Sequence, residues 1–104
     1  MSADYPSPDV EDIDLVEVLR ALGDPVRLEI VRRLRDGRAH CKVEEEWDLG
    51  VQKSTLSHHF KTLREAGVTE TTVEGRAHWI RLRRDDLDRL FPGLLAGVLT
   101  RDGE

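Results

Sequence analysis

Two histidines stand side by side in the stretch KSTLSHHFKTLREAG, residues 53–67. Paired imidazoles suggest a metal site, a catalytic pair, or part of a surface that touches a partner. Neighbours on a helix point about 100° apart, so His58 and His59 cannot hold one ion from one face; a metal-binding helix would space them three or four residues apart. Ser57 beside His58 fails as half of a catalytic triad for the same reason. The chain has no glycine-rich phosphate loop, no nucleophile with an assignable base and no carboxylate pair in an evident cleft. No catalytic residue and no cofactor are therefore assigned, and the chain is not read as an enzyme.

A second titratable group lies at His40 and Cys41, with Glu44, Glu45 and Glu46 close behind. These residues could hold a metal only by borrowing ligands across a dimer or from the N-terminal tail, so no metal site is assigned. Cys41 is the single cysteine, which excludes an internal disulfide and a multi-thiolate zinc site within one chain and suits a reducing compartment. Two roles stay open for it: a buried structural residue, or a redox switch forming a sulfenic acid or an intersubunit disulfide. His40 and Lys42 would lower its pKa and the three glutamates would oppose them. His40 and Cys41 are thus the candidates for an effector or redox site.

The elements that position these residues follow from hydrophobic spacing. Residues 1–11 read as a flexible acidic tail and residues 12–100 as one folded domain. Ile13, Val16, Leu19 and Leu22 predict a first helix over 12–22, stopped by Gly23. Asp24-Pro25 supplies a cap and a first-turn proline for a second helix with Val26, Ile30, Val31 and Leu34 on its apolar face. Residues 38–51 read as a short third helix anchored by Val43, Trp47 and Leu49, ending in a turn at Gly50. Leu56, Phe60, Leu63 and Ala66 predict the strongest helix, from Lys53 to the stop at Gly67. Two β-rich runs around Glu74-Gly75-Arg76 predict a hairpin. Leu87, Leu90, Phe91, Leu94, Leu95, Val98 and Leu99 predict a last helix, kinked or divided at Pro92-Gly93.

That order is the order of a winged helix-turn-helix: mainly α with a small β-hairpin wing, about five helices, the strong helix in the DNA major groove. With Leu56, Phe60 and Leu63 facing inward, Lys53, Ser54, Ser57, His58 and Lys61 fall on or near the outer face, and Gln52 and Thr55 lie in the first turn. Short hydroxyls can bond phosphates or base edges, lysines neutralise phosphates, and first-turn N–H groups favour an anion. Arg76 at the hairpin tip either reaches a phosphate or the minor groove or is a solvated turn residue. Arg81, Arg83 and Arg84 either help bind DNA or solvate the outer strand. His59 lies on the flank of the apolar stripe and reads as a packed or capped histidine.

Charge supports this reading. The 104 residues are 38% hydrophobic and 36% charged with net charge −5, yet residues 51–84 hold seven bases against three acids, while residues 1–24 hold seven acids and one base. The basic segment contains the double histidine, and concentrated positive charge suits a phosphate backbone. No apolar run approaches the roughly 18 residues a membrane helix needs, and the N-terminus lacks the pattern of a signal peptide, so a cytoplasmic protein with no membrane partner is expected. The apolar positions of the first and last helices exceed what one small core requires, which points to a symmetric helical interface. The alternative is a winged-helix module that binds a protein through its acidic tail.

The segments ALGDPVRLEIVRRL, KSTLSHHFKTLREAGV and EGRAHWIRL resemble the ArsR/SmtB family of bacterial winged-helix repressors, from about Leu15 to Leu90. The resemblance implies a homodimer joined through its first and last helices, a near-palindromic double-stranded operator, and release when an effector binds. Many metal-sensing members carry cysteine-x-cysteine in the third helix or aspartate and histidine ligands along the last. Here the first region reads HCKVEEEW and the last helix has no histidine, so the effector is left unidentified and is not expected to be a metal at those sites.

Overall fold

In the computed structural model, which describes residues 5–42 and 47–100 with the side chain of Thr100 set aside, helix α1 (Leu15–Leu22) starts later than the spacing predicts. Asp14 is extended and its carboxylate accepts the Glu17 N–H at 3.2 Å, so the cap sits at residue 14 rather than before 12. Upstream, Val10–Asp12 form a single 3-10 turn, and Ile13, assigned to the helix by its spacing, is buried ahead of it. The inward face of α1 also differs: Val18, Ala21 and Leu22 are buried, whereas Leu15, Val16 and Leu19 are 41%, 54% and 49% exposed.

Helix α2 (Pro25–Arg33) follows after Gly23. Asp24 accepts the N–H groups of Val26 at 2.9 Å and Arg27 at 3.1 Å, the cap expected from Asp24-Pro25. Ile30, Val31 and Leu34 are buried along one side of it. Helix α3 (Lys53–Glu65) buries Phe60 and Leu63 and half-buries Leu56. It ends in a Schellman motif: Gly67, at φ +86°, donates to the Arg64 carbonyl at 3.0 Å, and Val68 donates to the Leu63 carbonyl at 3.0 Å.

The hairpin is β2 (Thr69–Glu74) and β3 (Ala77–Leu82), with Glu74 opposite Ala77 and only Gly75 and Arg76 in the turn. Gly75 takes φ +63°, a region glycine enters without steric cost. A third strand, β1 (His40–Cys41), pairs antiparallel with β3, His40 opposite Ile80 and Cys41 opposite Trp79, giving the order β1-β3-β2. The short helix expected over 38–51 is corrected at its start by this strand; residues 43–46, its middle, lie outside the described residues. Two residues are too few to show alternation, so the strand had no sequence signal. Trp47 is buried, its indole N–H donating to the Cys41 carbonyl at 2.8 Å and its ring edge-on to Phe60 at 5.2 Å.

The C-terminal apolar run divides at Phe91-Pro92-Gly93 into α4 (Arg84–Leu90) and α5 (Leu94–Thr100), with Leu87, Leu95 and Leu99 buried. Of the segment 1–11 expected as a flexible tail, residues 5–11 are described. Tyr5 stacks at a tilt on His78, 5.2 Å between centroids, and the Pro8 carbonyl accepts from Arg83 at 2.7 Å. Among the described residues the molecule is thus a mainly α fold with a three-stranded antiparallel sheet, a winged helix-turn-helix whose strong helix leads directly into the wing.

Candidate nucleic-acid interface

Helix α3 is held from behind by one linked set of polar contacts. Arg27 of α2 donates from Nε to the Ala21 carbonyl at 2.6 Å and from Nη2 to the Arg20 carbonyl at 3.4 Å, satisfying the end of α1. Its Nη1 meets His59 Nδ1 at 3.1 Å. Guanidinium only donates, so Nδ1 accepts and the ring proton sits on Nε2. Asp24, the cap of α2, stands 4.0 Å from the same Nδ1. The Arg27 N–H bond in the first place holds the Asp24 carboxyl below its ordinary value, with burial working against it and His59, the Val26 N–H and the Arg27 charge adding to the lowering. His59, 12% exposed, therefore ties α3 to α1 and α2, the packed role its flank position suggested. From sequence alone Arg27 had no assigned role; its partner lies 32 residues away and no local pattern shows it.

On the opposite side, Gln52, Lys53, Ser54, Thr55, Ser57, His58 and Lys61 are all exposed. Gln52 caps α3 without a side-chain hydrogen bond, so the first-turn N–H groups keep no side-chain partner from it. That end combines open donors, the positive end of the helix dipole and a lysine, the combination an anion favours. The rings of His58 and His59 lie 6.3 Å apart and tilted by 55°, diverging as the helix requires. Arg76 is exposed at the tip of the wing.

Three other arginines of the basic segment are engaged within the fold. Arg81 pairs with Glu70 across the hairpin. Arg83, 8% exposed, forks onto Asp86 Oδ2 at 3.0 and 3.1 Å and onto the Pro8 carbonyl. Arg84 donates to the Arg35 carbonyl at 2.8 Å and approaches Asp88 at 3.8 Å.

His40 and Cys41 are not brought together. Consecutive strand residues face opposite sides of the sheet. His40 turns to Asp36, Nε2 to Oδ1 at 3.0 Å, and edge-on to Trp47 at 6.3 Å, while half-buried Cys41 lies opposite Trp79 on the other face. Among the described residues, no three His, Cys, Asp or Glu side chains converge into a set that could hold a metal ion, and no helix is long and apolar enough to cross a membrane.

Comparison with known proteins agrees with this geometry. Residues 24–71, from the cap of α2 into β2, match the model of the bacterial regulatory proteins of the arsR family. The chain is 39% identical over 80 residues to an HTH-type transcriptional regulator of Bacillus subtilis, covering 76% of this chain and 80% of that protein. It is 33% identical over 82 residues to the arsenical resistance operon repressor of Staphylococcus aureus, 78% and 77% covered. It is 34% identical over 88 residues to the HTH-type transcriptional regulator CmtR of Mycobacterium tuberculosis, 85% and 74% covered. With the fold and these relatives in agreement, the chain belongs to the ArsR family of bacterial regulatory proteins.

Proposed function

We propose that the protein is a DNA-binding transcriptional repressor, acting in the cytoplasm as a homodimer and released from its operator by an effector. The observation that carries the reading is the exposed edge of Gln52, Lys53, Ser54, Thr55, Ser57, His58 and Lys61 on a helix locked from behind through His59. In the major groove the lysines meet phosphates, while Gln52, Ser54, Thr55, Ser57 and His58 meet phosphates or base edges; Arg76 reaches the adjacent backbone or minor groove. The exposed Leu15, Val16 and Leu19 on α1 support a symmetric interface, since three large apolar side chains on one short helix are costly to leave in water. Two recognition helices would then meet major grooves about 34 Å apart. A relative named as a repressor supports the sign of regulation.

Fluorescence polarisation on an operator recovered by genome-wide binding of the purified protein tests this. Lys53→Ala and Ser57→Ala should each weaken binding while sedimentation still reports a dimer, and Leu19→Glu should lower both mass and affinity. Unchanged affinity in both α3 variants overturns the recognition face. Absence of any duplex binding at low salt would favour a protein partner instead.

A further inference from the structure

We propose that Lys42, Arg64 and His78 form a binding site for a small oxyanion, a phosphate or carboxylate group, at the junction of α3 and the sheet. Arg64, in the last turn of α3, lies with its guanidinium carbon 4.7 Å from the centroid of the Tyr5 ring. The same ring lies 5.2 Å from that of His78, on β3. Lys42, just past β1, donates its backbone N–H to the His78 carbonyl at 2.7 Å and holds its ammonium 5.3 Å from the centre of Phe60, one helical turn before Arg64. Two cations and an imidazole from three elements are thus linked through Tyr5, Phe60 and the Lys42–His78 backbone bond.

Two of their side-chain nitrogens lack partners among the described residues. Arg64 Nε and His78 Nδ1 are both shielded from solvent and hydrogen-bonded to nothing. Burial in the first place, and the Arg64 charge in the second, lower the pKa of Lys42. A shielded donor without an acceptor is costly, and so are like charges held together. An oxyanion removes both costs at once: a planar guanidinium and an ammonium are the two side chains best suited to hold it, and each bond would be charge-assisted. Tyr5 covers the guanidinium on one side, which favours a small free anion over the backbone of a duplex. Bound there, it would tie α3 to the wing and add negative charge beside the basic helix. Its effect on operator affinity rests on the DNA-binding reading; its binding does not.

The test is a titration of the free protein with inorganic phosphate at constant ionic strength, followed by backbone amide shifts. Saturable shifts are expected around Tyr5, Lys42, Arg64 and His78, with affinity falling roughly tenfold or more in Arg64→Gln and in Lys42→Gln, the loss of one charge-assisted bond, and unchanged in Lys53→Ala. Should one variant fail to fold, the other decides. No saturable shift in the wild type, or equal shifts in the variants, overturns the proposal. Binding that emerges only when Glu44, Glu45 and Glu46 are replaced by Gln also overturns it, because the chain would then supply its own counter-ion. A loss of operator affinity in Arg64→Gln without phosphate binding to the free protein would reassign the cluster to the DNA backbone.

Discussion

The lock between Arg27 and His59 carries a quantitative prediction, because one side chain joins the end of α1, the start of α2 and the back of α3. Arg27→Met keeps the aliphatic stem and removes all three donated bonds, to Ala21, Arg20 and His59. His59→Leu removes only the last. A hydrogen bond to a charged group contributes about 1.5–3 kcal/mol, and part-burial of this one places the Arg27–His59 coupling at about 1–2 kcal/mol. Arg27→Met should then cost about 2–3 kcal/mol in the wild-type background and correspondingly less in His59→Leu. For a domain of this size each kcal/mol moves Tm by about 4–8 °C. Urea unfolding of the wild type, both single variants and the double variant closes the cycle. It is run at one protein concentration, because any association would make stability depend on it. Costs that add to within about 0.5 kcal/mol would refute the coupling and with it the account of how α3 is oriented.

Two further outcomes follow from the geometry. Gly67→Ala should destabilise by about 2–3 kcal/mol, since a Cβ there would lie 2.7 Å from Ile13 Cγ1 in a backbone at φ +86°; Gly75→Ala, strained but facing open space, should cost about 1 kcal/mol, and equal midpoints for the two in thermal melts would contradict the contact. The lowered pKa of Asp24 means that its stabilisation is complete above the ordinary 3.8 and is lost as pH falls below that through the folded-state value, so stability measured by urea midpoint should decline in this acid range and decline less steeply in Asp24→Asn. Asp36 behaves in the same sense, because its bonds to His40 and the Arg38 N–H outweigh the burial that raises it, so the slope in Asp24→Asn is reduced rather than abolished.

Much of the fold was legible in residue order. The caps at Asp24 and Gly67, the apolar stripe of Leu56, Phe60 and Leu63, the hairpin turn around Glu74-Gly75-Arg76 and the break at Pro92-Gly93 depend on neighbours within a few residues, and those signals are local. The start of α1 was misjudged because Ile13 fits a helical period while Asp14 caps more strongly than the period attracts. Strand β1 was missed because its pairing energy comes from β3, about 40 residues away, and not from its own two side chains.

For the candidate interface, the sequence by itself determined that His58 and His59 diverge, that polar and basic residues line one edge of a helix, and that a hairpin follows. These are consequences of a fixed angle per residue. Only the tertiary structure decided which basic residues remain open. It engages Arg81, Arg83 and Arg84 with carboxylates and carbonyls, sends His40 and Cys41 to opposite faces, leaves Leu15, Val16 and Leu19 uncovered, and sets Arg64 and His78 against Tyr5. The physical reason is distance along the chain: helical period and capping act over three or four residues, whereas the pairing of a charge depends on whichever element folding brings against it.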